Sequence, residues 1–198
     1  MNSQNSSASA ICVFCGSRSG NNPSFSAEAA KLGTMLAEKN IRLVYGGGDI
    51  GLMGVVVRAV LESGGNATGV IPKFLLEYEV GNPEVDEFIP VETMHERKAI
   101  MFDRSDAFVV LPGGIGTLDE TIEITTWKQL RQHSKPIIIV NIDGCWDSMV
   151  NLFDSVIDAG FAHSSIKELI TVVDSVDDVF EAIANAPEPK KETITSHF

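Results

Sequence analysis

The chain has 198 residues, and 15 Lys and Arg against 27 Asp and Glu give it a formal charge of −12 with histidine neutral. With 44% hydrophobic and 21% charged residues it has the make-up of one globular domain with a sizeable core, which excludes collagen and disorder. No apolar run approaches the roughly 20 residues that cross a bilayer, and so acidic a chain, lacking an offsetting Lys/Arg stripe, is repelled by nucleic-acid phosphates, so neither a membrane nor DNA or RNA is the expected partner.

From the amino terminus, residues 1–9 are polar, without basic residues or an apolar stretch. They read as a solvated tail rather than a secretory signal, and a cytoplasmic location is the default expectation. The apolar run over 10–15 is a first strand. It carries Cys12 and Cys15, which face opposite sides when three apart on a strand; with Cys145 they read as buried, reduced thiols rather than a zinc or redox pair. After Pro23, the spacing of Phe25, Ala29, Leu32 and Leu36 draws one apolar helix face. Further strands are expected at 41–46, 67–72, 86–91, 106–111, 136–141 and 170–173. Leu118, Ile122, Thr125 and Leu130 outline a second helix, and Trp146, Val150, Phe153 and Ile157 a third. Alternating strands and helices of this kind predict an α/β fold: a doubly wound, mostly parallel, Rossmann-like sheet with helices on both faces. The domain spans 10–186, and a polar, proline-bearing tail follows over 187–198.

Eight of the 17 glycines fall in two clusters. Gly46-Gly47-Gly48-Asp49-Ile50-Gly51-Leu52-Met53-Gly54 follows one expected strand, and Pro112-Gly113-Gly114-Ile115-Gly116-Thr117 follows another. Each turn opens a helix, so free N–H groups at the helix start face whatever anion sits there, and each is a candidate phosphate cradle. The first, taken alone, could also be merely a tight strand-to-helix connection; the second is harder to read that way. The second turn fits neither G-x-G-x-x-G, which would need glycine at Asp119, nor the P-loop, which would need Lys and Ser/Thr; NAD and ATP lose their usual support. Beyond Thr117, Glu120 and Glu123 share one helix face, whereas Asp119 and Glu123 read as partners of the helix dipole. Met94-His95-Glu96-Arg97-Lys98 precedes the strand at 106, and by composition alone it could be a solvated face. His133, His163 and His197 stand at no metal-ligand spacing from His95, so no metal site is expected.

Together, Pro112-Gly113-Gly114-x-Gly116-Thr117-x-x-Glu120, Met94-His95-Glu96-Arg97-Lys98 and the first glycine cluster resemble the Lonely Guy family of cytokinin riboside 5′-monophosphate phosphoribohydrolases, whose older label is lysine decarboxylase-like. The resemblance runs from about Ile11 to Ile183. It implies a catalytic pair, Arg97 and Glu120, with Ser17, Gly47, Gly48, Lys98, Gly113, Gly114, Ile115, Gly116 and Thr117 at the substrate, and a homodimer with the site near the subunit interface. Ile115 stands where plant members usually have Tyr, and Asp119 replaces a common Glu; both bear on base preference. Ser17 by itself could also be a helix cap.

The chemistry suits these residue types. Breaking the bond between a base and ribose 5-phosphate passes through an oxocarbenium-like sugar, which a carboxylate such as Glu120 stabilises while orienting water. Arg97 supports the departing base, the turn over 113–117 anchors the 5′-phosphate, and Lys98 adds charge there. The expected substrate is AMP or an N6-modified AMP. Water is the second reactant, so no cofactor is implied. The rivals are a non-enzymatic nucleotide-binding or carrier protein on the same fold and a PLP-dependent decarboxylase, for which only the old label speaks.

Overall fold

The computed structural model describes residues 8–76, 81–82 and 84–187. Seven strands form a parallel sheet: β1 (Ala10–Phe14), β2 (Arg42–Tyr45), β3 (Ala67–Pro72), β4 (Glu87–Val91), β5 (Ala107–Val110), β6 (Ile137–Val140) and β7 (Thr171–Val173), in the order β4-β3-β2-β1-β5-β6-β7. The expected α/β, doubly wound architecture is what forms, and each expected strand is present with its ends trimmed by at most a residue. The inner strands read as unbroken apolar runs because both of their faces are covered. Pro90 sits in β4, an edge strand, where a missing N–H leaves no gap in the ladder.

Among the described residues, six helices cover the sheet: α1 (Pro23–Glu38), α2 (Gly51–Glu62), α3 (Met94–Asp103), α4 (Ile115–Gln129), α5 (Asp147–Asp158) and α6 (Val179–Ala184). Alternate residues of β1, together with Cys15 just beyond it, feed two separate cores. Ile11, Val13 and Cys15 pack under α1, α2 and α6, while Ala10, Cys12 and Phe14 pack under α3, α4 and α5. The two strand cysteines thus point to opposite faces, both buried. On α1, Ala29, Leu32 and Leu36 are fully buried, as their spacing requires.

The face expected for α4 is corrected. Thr125 is buried and Leu118 packs against the core as expected, but Ile122 and Leu130 are 40% and 43% exposed, and the rest of the buried side is Thr117, Glu120, Thr121, Ile124 and Lys128. Threonine can line a buried helix face because its hydroxyl bonds back to the preceding turn. Thr121 donates to the Thr117 carbonyl and Thr125 to that of Thr121, both at 2.7 Å. In the third expected helix, Trp146 is buried just ahead of α5, but Val150, Phe153 and Ile157 are only half-buried. Ser9, assigned to the tail, is tied to Asp106, whose carboxylate accepts from its N–H and hydroxyl. The rest of the two tail assignments, 1–7 and 188–198, lies outside the described residues.

The strand order reverses between β1 and β5, and in open parallel sheets ligands bind in the crevice at such a reversal. Here Leu111 N–H donates to the Phe14 carbonyl and Gly16 N–H to that of Pro112, so the two carboxyl ends stay joined for two residues before the crevice opens.

Candidate active site

The turn after β5 delivers the chain to the start of α4, whose N-cap is Gly114 and which no side chain caps. The first-turn N–H groups of a helix have no partner within it, so those of Ile115, Gly116 and Thr117 are left to face the crevice. Gly113 is required by packing: a Cβ there would lie 2.1 Å from Thr117 Oγ1 and 3.0 Å from Gly16 N. Gly114 and Gly116 are different, because a Cβ at either would meet nothing within 4 Å. Neither has a positive φ. Among the described residues no contact calls for glycine at these two positions; a ligand lying against the turn would.

Helix α3 brings in the arginine. Thr93 caps it, accepting from Glu96 N–H, while Glu96 accepts from Glu92 N–H, which fixes where the helix begins. Three positions into this first turn, Arg97 points inward over the carboxyl ends of β2 and β3. Its Nε donates to the Val70 carbonyl and its Nη2 to the Gly46 carbonyl, each at 3.2 Å. Nη1 lies 3.7 Å from Glu120 Oε1, and the two side chains are 6% and 8% exposed. The two residues assigned as the catalytic pair therefore meet, across 23 positions of sequence, as a buried ion pair.

They form the floor of a cleft of about 160 Å³, walled by Ser17, Gly46, Met53, Met101, Gly114 and Thr117. Through Ser17, Gly114 and Ile115 this cleft adjoins a larger one of about 670 Å³, where Phe25, Leu52, Cys145 and Trp146 provide an apolar wall. Ile115, 82% exposed, stands at the boundary of the two.

Ser17, Gly113, Gly114, Ile115, Gly116 and Thr117 are thus gathered around the crevice. Gly47, Gly48 and Lys98 are not among the residues lining either cleft. Within the chain, Gly47 and Gly48 of the first glycine cluster serve packing, while Gly46 of that cluster lines the small cleft. Gly47 (φ 80°) presses against Ile71, its carbonyl accepting from Asn82 N–H, and Gly48 pairs with Gly81. Gly51 (φ 58°) lets the β1 loop lie on the start of α2, where Leu52 N–H donates to the Gly16 carbonyl at 3.0 Å. The Lys98 ammonium is held at 2.9 Å by both Asp119 and Glu123. Burial lowers its pKa, but the hydrogen bonds to Glu123 and Asp119 outweigh burial and raise it above the usual lysine value. Lys98 is a strut between α3 and α4, and the two acids are its partners rather than partners of the helix dipole.

The sequence model of the family described as "Possible lysine decarboxylase" matches residues 53–183. A cytokinin riboside 5′-monophosphate phosphoribohydrolase of Arabidopsis thaliana is 46% identical over 160 residues, covering 81% of this chain and 75% of that protein. Another from the same plant is 42% identical over 186 residues, 94% of this chain and 87% of its own length. The chain belongs to the Lonely Guy family. The molybdenum cofactor carrier protein of Chlamydomonas reinhardtii shares the fold of this Lonely Guy protein, with a TM-score of 0.67 at 23% identity over 88% of this chain and 94% of that one.

Sequence reasoning missed the lining of the larger cleft. By periodicity Phe25 and Trp146 are core positions of amphipathic helices, and an apolar residue that walls a cleft has the same periodicity as one that fills a core. Their positions next to strand carboxyl ends were the available signal.

Proposed function

We propose that this Lonely Guy protein hydrolyses the N-glycosidic bond of purine nucleoside 5′-monophosphates, AMP or an N6-modified AMP, releasing the free base and ribose 5-phosphate. The observation that carries the reading is the buried Arg97–Glu120 pair beneath an uncapped helix start. In this assignment the 5′-phosphate lies against the N–H groups of residues 115–117, in the space that Gly114 and Gly116 leave open. Glu120 then stabilises the positive charge that grows on the ribose as the bond to the base lengthens, and it orients the attacking water. Arg97, held by two main-chain carbonyls, meets the negative charge accumulating on the departing base. The larger cleft offers room beside the base for an N6 substituent, in keeping with the substrate named for the Arabidopsis relatives.

Both charged groups come from the chain and water is the second reactant, so this mechanism requires no metal or organic cofactor. A carrier would need the phosphate turn but not a buried Arg–Glu pair beneath it. Lys98, engaged by two carboxylates, is poorly placed to form a Schiff base with PLP.

The reading extends to a cytoplasmic homodimer. Ile115, at the crevice, and Ile122, two turns further along α4, are both exposed, and a second copy would cover them. Among the described residues no helix is long and apolar enough to cross a membrane.

The test is Glu120→Gln, which keeps the shape and removes the charge. Free adenine released from AMP, followed by chromatography in single turnover, is expected to fall by roughly two to four powers of ten while AMP still binds. Full turnover by a folded Glu120→Gln protein would end the mechanism. Light scattering of the wild type and of Ile122→Glu tests the dimer, which is expected to dissociate in the variant.

A further inference from the structure

Gly46 follows the last residue of β2 at the wall of the small cleft, and its backbone makes no special demand for glycine, since its φ is not positive. What excludes a side chain there is one group. A Cβ at Gly46 would stand 1.8 Å from Arg97 Nη2 and 3.0 Å from its Cζ, with Met53 Sδ also at 3.0 Å and no main-chain atom among these nearest neighbours. The same glycine supplies the carbonyl that accepts from Nη2 at 3.2 Å, while Val70, on the neighbouring strand, supplies the one that accepts from Nε. The guanidinium is gripped between the carboxyl ends of two adjacent strands, in a slot that exists only because one residue lacks a side chain.

We infer that Gly46 is a positioning residue for catalysis: its missing Cβ is the slot that fixes the Arg97 guanidinium against Glu120. The inference rests on the proposed role of Arg97 and adds a residue assigned to neither base nor phosphate. A methyl at 46 collides with the movable end of Arg97 and with a flexible thioether, not with backbone. The fold therefore accommodates it, and the guanidinium is displaced. The α4 turn, which lies on the other side of the cleft floor, keeps its geometry, so substrate binding through the phosphate is retained.

The test is a cycle of Gly46→Ala, Arg97→Ala and the double variant, with AMP as substrate and melting temperature measured on each. Gly46→Ala is expected to lower kcat at least tenfold while KM stays within about threefold, a split that a general loss of structure would not produce. In the Arg97→Ala background the added methyl meets no guanidinium, so the double variant is expected to be no slower than Arg97→Ala alone. Added guanidinium at millimolar concentration is expected to restore turnover in Arg97→Ala, where the slot is empty, and not in the double variant, where the methyl fills it. If Arg97→Ala does not fold, Arg97→Gln takes its place in the cycle. If Gly46→Ala does not fold, folding of the double variant supports the collision with the guanidinium, and failure of the double variant to fold refutes it. Normal kcat in a folded Gly46→Ala protein, or losses that add in the double variant, would overturn the inference while leaving the catalytic pair intact. Normal turnover in Arg97→Ala would instead overturn the role of Arg97 on which it rests.

Discussion

Gly116 gives a test in which stability and activity should move in opposite directions. It occupies the second position of α4, has no positive φ, and a Cβ there would meet nothing within 4 Å. Alanine at such a site restricts the unfolded chain and favours the helix, so Gly116→Ala should stabilise the protein by about 0.4–1 kcal/mol. For a domain of this size that corresponds to a rise in Tm of about 1–4 °C. If the 5′-phosphate lies against this turn, the same methyl takes its place, and losing about 3 kcal/mol of anchoring lowers kcat/KM for AMP on the order of a hundredfold. Hydrolysis of adenosine, which has no phosphate to lose, should change far less. Gly113→Ala is the contrast. Its methyl meets Thr117 Oγ1 at 2.1 Å and Gly16 N at 3.0 Å, so it should destabilise the fold itself. Differential scanning calorimetry and steady-state release of adenine on the same preparations decide the matter. A stabilised Gly116→Ala protein with unchanged kcat/KM on AMP would show that nothing approaches this turn in the reacting complex, and the phosphate assignment would fall.

Other expectations follow from the same geometry. The wild type should prefer AMP over adenosine in kcat/KM by about a hundredfold, and equal efficiency would remove the anchoring argument. Lys98→Met should leave KM for AMP within about twofold, since the ammonium serves Asp119 and Glu123; a tenfold rise would return Lys98 to the phosphate. Lys128 is 2% exposed on the inner side of α4, and burial pulls its pKa down to about 8. Because the folded value lies below the unfolded one, the penalty for burying the ammonium is full below pH 8 and fades as pH rises towards about 10.4. Lys128→Met should accordingly be more stable than wild type by about 1–3 kcal/mol at pH 7, with the gain nearly gone at about pH 10.5. Urea midpoints at the two pH values check this, and a gain independent of pH would rule out burial of charge as its cause.

The sequence by itself was enough for the layered α/β plan. A parallel strand covered on both faces must be a continuous apolar run, and a strand-to-helix turn must be made of residues that permit it, so Val109 and Val110 followed by Pro112-Gly113-Gly114 carry their structure in local order. It also pointed to Arg97 and Glu120, because the motifs around them are specific in combination. It did not determine which side of α4 faces inward. Ile122 and Leu130 look like core residues, yet the buried side is threonines, Lys128 and Glu120, since the threonine hydroxyls are satisfied within the helix and this side continues into the cleft. Nor could it say what each glycine of the two clusters packs against. Only the tertiary structure shows Gly46 making way for a guanidinium 51 positions later, Lys98 reaching two acids on the next helix, and Gly116 facing open space. Hydrophobic periodicity and turn chemistry act between neighbours in sequence, and so can be read from it. What a polar side chain or a missing side chain is for depends on the atom placed opposite it by another element, and that is decided only when the sheet has brought the two together.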